Sequence, residues 1–220
     1  MRSVIFDLDG TLADTAADLV AAANHCFVGL GLGELLDPVG DAKTALRGGK
    51  AMLRLGFSRV EGYGDEAVER EYPLLLEAYG EAIAVHTRLY PGTLEAAEAL
   101  RREGYALAIC TNKPEGLAVK LMTALGELET FGPIIGADTL AVRKPDPAPF
   151  HEAVARAGGT AGRACLVGDT VTDRETARAA GAPSLLVSFG PAGGEMAALE
   201  PAALVPSYAE LPGIVNGLRL

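Results

Sequence analysis

Val4-Ile5-Phe6-Asp7-Leu8-Asp9-Gly10-Thr11 decides how this chain is read. Three apolar residues make a buried strand, and two carboxylates emerge where it ends. Neighbouring strand residues point to opposite faces, so Asp7 and Asp9 start on the same side. Gly10 then allows a sharp backbone turn. One carboxylate can attack an electrophile while the other handles a proton or helps to hold a metal. Acidic residues also end strands as simple turn formers, so this string needs company before it means chemistry.

The company comes from the second half of the chain. From residue 90 onward, apolar strands alternate with amphipathic helices. Pro91-Gly92 makes a turn, and Thr93 is read as the cap of a helix carrying Leu94, Ala97 and Leu100 and ended by Gly104. Strands follow at 106–110, 134–135, 164–167 and 184–187, with helices between them. Pro114 suits the first turn of one helix, and Ser207 with Glu210 is read as a capping box for a last short helix, against Pro212. Gly190 to Ala203 is read as a surface loop. This alternation predicts an α/β fold, a Rossmann-like doubly wound parallel sheet covered on both faces. Residues 15–85 break the pattern. Leu19, Ala22, Ala23 and Cys26 share one helical face, Leu53 and Leu55 follow a Gly-Gly break, and Leu74 to Ile83 is helical again. The expected organisation is therefore a core of residues 1–14 and 86–220 with a helical cap, 15–85, inserted after the first strand.

Ligands of open parallel sheets bind at the carboxyl ends of the strands, and four polar clusters sit there. Asp7 and Asp9 are the first. Thr111-Asn112-Lys113 offers a hydroxyl and backbone amides at a helix start, an anion site or an ordinary cap. Lys144-Pro145-Asp146-Pro147 projects an ammonium from a rigid turn, into a cleft or into solvent. Gly168-Asp169-Thr170 with Asp173 supplies two carboxylates that can converge on one cation, or simply acidic residues that suit a helix dipole. Oxygen-only ligands favour Mg²⁺ over zinc. Together the four provide a nucleophile, an acid/base, an anion pocket, a cation and a metal site.

In these motifs the chain resembles the haloacid dehalogenase-like hydrolase superfamily over nearly its whole length. Flanking segments, Tyr90-Pro91-Gly92, Cys110 to Pro114 and Thr172 to Gly181 among them, resemble the phosphoglycolate phosphatase group. The resemblance implies that Asp7 attacks phosphorus to form an aspartyl-phosphate, and that Asp9 protonates the leaving alcohol and then activates water. It implies that Thr111 and the Asn112 amide hold the phosphoryl oxygens and that Lys144 steadies Asp7. Asp169 is expected to bind Mg²⁺ with the Asp7 side chain and the Asp9 carbonyl, Asp173 supporting or ligating it. Two positions depart from the family pattern. The cap carries Arg47-Gly48-Gly49-Lys50 where a Gly-x-Gly turn is common, which makes Arg47 and Lys50 candidates for a substrate carboxylate or a solvated helix end. Arg174 stands where relatives usually place an apolar residue.

The expected activity is thus Mg²⁺-dependent hydrolysis of a small phosphate ester, 2-phosphoglycolate first. The alternatives are a phosphomutase, a haloacid dehalogenase, which has no need of Asp9, and a catalytically silent protein that binds phosphorylated ligands. Composition narrows the partners. The 220 residues are 49% hydrophobic and carry a net charge of −10, which argues against nucleic acid or an anionic membrane as a partner. No apolar run approaches the roughly 18 residues of a membrane span, and no targeting segment is evident. Cys26, Cys110 and Cys165 lack metal-ligand spacing, and an odd, sparse cysteine count fits a reducing compartment. A cytoplasmic monomer or homodimer is expected. His25, His86 and His151 are scattered and read as packing or surface residues.

Overall fold

The computed structural model describes residues 1–218 and 220. The chain divides into two compact units, Met1–Ala13 with Leu89–Leu220, and Asp14–Arg88. In chain order it runs β1 (Arg2–Phe6), β2 (Ala13–Asp14), α1 (Ala16–Gly29), α2 (Ala42–Ala45), α3 (Gly49–Phe57), α4 (Asp65–Glu81), β3 (Arg88–Leu89), α5 (Thr93–Arg102), β4 (Tyr105–Cys110), α6 (Glu115–Ala124), β5 (Ile134–Ile135), α7 (Ala148–Arg156), β6 (Ala164–Gly168), α8 (Val171–Ala179), β7 (Ser184–Val187), a 3-10 helix (Gly193–Leu199), β8 (Ala203–Val205) and α9 (Leu211–Gly217).

The larger unit is built on a six-stranded sheet in the order β5-β4-β1-β6-β7-β8. Its strand pairs are all parallel. This is the Rossmann-like α/β sheet that the alternation of strands and helices predicts. Strand order matters more than strand count here. The chain moves outward from β1 to β4 and β5, then returns to lay β6 on the other side of β1. The C-terminal ends of β4, β1 and β6 therefore lie side by side, at the point where an open sheet binds its ligands. Register keeps them level, with Phe6 opposite both Ile109 and Val167. Ile5, Ala108 and Leu166 pack with Phe150 and Val154 of α7 in one buried cluster. On the opposite face Phe6 meets Phe131 edge to face, ring centroids 5.7 Å apart.

The smaller unit is helical. Val20, Ala23 and Phe27 of α1 are buried, as are Met52 and Leu53 of α3 and Val68 and Leu75 of α4. Leu55 is only half-buried, so of the two leucines after the Gly-Gly break Leu53 makes the core contact. A Cβ on Gly56 would lie 2.1 Å from the Phe27 ring, so only glycine admits that ring against α3. Asp18 fastens the returning chain, accepting from the His86 and Thr87 amides at 3.0 and 2.9 Å and from the Thr87 hydroxyl at 2.7 Å. Among the described residues no helix is long and apolar enough to cross a membrane.

Three local expectations need correction. Gly92, at φ 83°, caps α5, and Thr93 is its first residue; the Thr93 hydroxyl turns back to donate to the Tyr90 carbonyl at 2.6 Å. Residues 190–203 are not all loop, because the 3-10 helix and the start of β8 lie there. Pairing with β7 takes in only the last residue of this stretch, Ala203, opposite Leu185. Ser207 and Glu210 do touch, hydroxyl to carboxylate at 3.1 Å, but α9 starts at Leu211 with Glu210 as its cap, so the pair braces a turn before the helix.

Candidate active site

β1 stops at Phe6, so Asp7 and Asp9 lie beyond the strand and the turn, rather than strand alternation, aims them. The Asp7 amide continues the ladder onto the Val167 carbonyl at 2.8 Å. Gly10, at φ 79°, then reverses the chain and donates to the Ala13 carbonyl at 2.9 Å. The Leu8 carbonyl accepts from the Leu12 and Ala13 amides at 3.0 and 3.1 Å, which makes the loop a compact, self-bonded turn.

Around Asp7 the other strand ends deliver their groups. Lys144 is 3% exposed, and its Nζ lies 3.0 Å from Asp7 Oδ1 and 2.6 Å from Asp173 Oδ1. The solvated-charge reading of this lysine is thereby excluded. Burial alone would favour its neutral form, but Asp173 and Asp7 outweigh burial and hold the ammonium protonated. Burial pushes the Asp7 carboxyl up to about 6; Lys144 opposes this, and Asp173 and Asp9 add to it. Asp169 is raised well above the carboxylate range, first by burial and then by Asp173 and Asp7.

Asp173 is fully buried. Its Oδ2 accepts from the Thr170 hydroxyl at 2.6 Å and from the Thr170 and Asp169 amides at 3.1 and 3.3 Å. Thr170 reciprocates as the cap of α8, so Asp173 closes a capping box while its other oxygen holds Lys144. Asp173 thus stands in the first turn of α8, as the dipole reading has it, and also faces the lysine beside Asp7. Gly168 has a reason the sequence does not display. A Cβ there would sit 2.3 Å from Asp173 Cγ.

Thr111 is buried, its amide bonded to the Ile135 carbonyl at 2.9 Å. The Asn112 side chain donates to the Lys144 carbonyl at 3.0 Å, tying the loop after β4 to the loop that carries the lysine. Sequence reasoning places Lys113 in this loop without assigning it a role. Its Nζ reaches Asp9 Oδ1 at 2.8 Å. A lysine in an anion pocket opposite a carboxylate motif was the available signal. Two other groups were missed. The Thr11 hydroxyl donates to Asp169 Oδ1 at 2.9 Å, and buried Tyr208 donates to the Thr11 carbonyl at 2.8 Å. Tyr208 lies 197 residues from Thr11, and nothing local marks it.

Asp7, Asp169 and Asp173 bring carboxylate oxygens within 4.8 Å of one another, an acidic group able to hold a metal ion. Asp169 Oδ2 is buried and accepts no hydrogen bond, while Asp7 Oδ1 is met by the Lys144 ammonium at 3.0 Å. A buried carboxylate oxygen left as Asp169 Oδ2 is costly unless a cation meets it. The donors are all oxygen, which suits Mg²⁺. Arg47 and Lys50 belong to the helical unit. Arg47 is exposed in the turn between α2 and α3, while the Lys50 ammonium is engaged by Glu69 at 2.6 Å and lies 5.1 Å from the Tyr72 ring centroid. Arg174 reaches the Leu199 carbonyl at 3.0 Å and so anchors the end of the 3-10 helix.

Residues 4–187 match the model of the haloacid dehalogenase-like hydrolase family, and the chain belongs to that family. Among curated relatives, a phosphoglycolate phosphatase of Mesorhizobium japonicum is 40% identical over 206 residues, 93% of this chain and 90% of that protein. A phosphoglycolate phosphatase of Agrobacterium fabrum is 39% identical over 210 residues, 94% and 89% of the two chains. The crystal structure of a predicted phosphoglycolate phosphatase from Haemophilus somnus superposes with a TM-score of 0.83 at 25% identity, covering 97% of each chain.

Proposed function

We propose that this protein is a Mg²⁺-dependent phosphomonoester hydrolase acting through an aspartyl-phosphate on Asp7, with 2-phosphoglycolate as its first-choice substrate. One observation carries the reading. A buried carboxylate, Asp7, is paired with a buried ammonium and stands in an acidic group in which Asp169 Oδ2 lacks a hydrogen-bond donor, while a second carboxylate, Asp9, stands in the same turn. The names of the relatives support the substrate.

Asp7, Asp169 and the Asp9 carbonyl would hold Mg²⁺, with Asp173 supporting them through Lys144 and Thr170. The bound ion supplies charge compensation between an anionic nucleophile and an anionic phosphate. The Thr111 hydroxyl and the Asn112 amide hold phosphoryl oxygens, and Lys144 offsets charge on Asp7. An Asp7 oxygen attacks phosphorus while Asp9 gives its proton to the departing alcohol oxygen. Asp9 then takes a proton from water, which attacks the phosphorus of the aspartyl-phosphate, releasing phosphate and restoring Asp7. Asp9 is what separates this reading from a dehalogenase, whose leaving halide needs no proton.

The test is phosphate release from a panel of small esters that includes 2-phosphoglycolate, with and without Mg²⁺, beside Asp7→Asn. Preference for 2-phosphoglycolate, lost in the variant and under chelation, is the expected result. Release from none of the esters would refute the phosphatase, and preference for another ester would refute the substrate.

A further inference from the structure

We propose that Lys113 is a positioning residue for Asp9, holding that carboxylate where the oxygen of the leaving alcohol departs; the inference rests on the phosphatase reading above. The two carboxylates assigned to chemistry each face an ammonium, that of Asp7 being shared with Asp173. Lys144 serves Asp7, and Lys113 serves Asp9 at 2.8 Å. The Lys113 side chain is 4% exposed and that of Asp9 17%, so the cation is the more buried partner and the carboxylate the more open one. Lys113 is also held along its main chain. Its amide donates to Thr111 Oγ1 at 3.2 Å, and its carbonyl accepts from the Ala137 amide at 2.9 Å. Pro114 follows and stiffens the entry to α6. A buried ammonium on a pinned backbone presents a fixed point to which a carboxylate on a glycine turn is tied.

The chemistry makes that tether matter. A general acid works only within hydrogen-bond reach of the atom it protonates. A displacement of about 1 Å can cost on the order of 10²-fold in rate. The loop after β4 thereby does two things: Thr111 and Asn112 meet the phosphoryl group, and Lys113 aims the acid at the ester oxygen beside it.

The experiment compares two esters on the Mg²⁺-loaded protein. An alkyl ester such as 2-phosphoglycolate needs a proton on its leaving oxygen, whereas the phenolate of p-nitrophenyl phosphate leaves without one. Because kcat/KM covers the steps up to phosphorylation of Asp7, it isolates leaving-group departure from the later attack of water. Lys113→Met is expected to lower kcat/KM for the alkyl ester roughly 30-fold or more and for the aryl ester less than about 3-fold, within the span of general acid catalysis. Lys113→Arg is expected to restore most of the alkyl rate. In an Asp9→Asn background, Lys113→Met is expected to leave the alkyl-to-aryl ratio unchanged. Equal losses on both esters, or a ratio that still falls without the Asp9 carboxylate, would overturn the proposal and give Lys113 to the phosphoryl group or to the fold. Should Lys113→Met not fold, Lys113→Gln carries the same comparison. A wild-type protein inactive on both esters would instead sink the phosphatase reading, which keeps the two failures apart.

Discussion

Replacing Asp7 by Asn is expected to stabilise the metal-free protein while abolishing its turnover. Burial is the first cause of the raised Asp7 carboxyl, at about 6 against an ordinary 3.8. The sign follows from proton binding. Between those two values the unfolded chain ionises first, so this group's contribution to stability falls as pH rises through the window, and the full cost is present above pH 6. A difference of roughly two units at about 1.4 kcal/mol each gives a cost of about 3 kcal/mol at pH 7. Asn fills the same space without the charge, and Lys144 keeps its 2.6 Å contact to Asp173. Lys144 does lose one of its two carboxylates, so the net gain is expected at about 1–3 kcal/mol, or roughly 3–10 °C in melting temperature for a chain of this size. The assay is thermal and urea unfolding of both proteins in chelator at pH 7 and pH 5. At pH 5, between the two values, the unfolded carboxyl is still mostly ionised, so the gap should shrink to roughly half of its pH 7 size rather than vanish. Added Mg²⁺ should raise the wild-type melting temperature by linkage and the variant's much less. A variant no more stable than wild type at pH 7, or a gap indifferent to pH, would refute the electrostatic reasoning.

Gly168→Ala places a methyl 2.3 Å from Asp173 Cγ; it is expected to displace that carboxylate and cost activity at least about 10-fold with a destabilisation of about 1–3 kcal/mol, checked by kinetics and urea melts. Wild-type kinetics in that variant would show that Asp173 does not depend on Gly168. The three thiols are buried, and burial pushes Cys26 up to about 11 and Cys110 and Cys165 up to about 12. Native protein at pH 8 should therefore resist iodoacetamide, and denatured protein should take up three equivalents. Because unfolded thiols ionise near 9 while the folded ones stay neutral, stability should decline as pH rises from 9 toward 12. Rapid labelling of any native cysteine would contradict this.

Much of the candidate site is legible in the sequence because strand ends write their chemistry locally. Asp7, Thr111, Lys144 and Asp169 each follow an apolar run or a turn within a few residues, and the run sets where the polar group emerges. The helical insertion was legible for the same reason, since periodicity is a short-range property. Short-range pattern also misleads. Thr93 and Ser207 have cap chemistry, but Gly92 and Glu210 occupy the cap positions, and Ala203 joins β8 through its pairing with β7.

Fold class, and the types of groups set at the strand ends, are written in short-range pattern. Apolar periodicity and turn chemistry act over a few residues and need no partner to be read. Which charge answers which depends on packing in three dimensions. The resemblance sets Lys144 beside Asp7, but its second and shorter contact, to Asp173 at 2.6 Å, appears only once the segment between β5 and α7 meets the start of α8. Lys113 finds Asp9 across 104 residues, and Tyr208 finds Thr11 across 197. Ion pairs and hydrogen bonds act through space over a few ångströms, so their partners follow from the strand order, which brings distant segments together, and not from spacing along the chain.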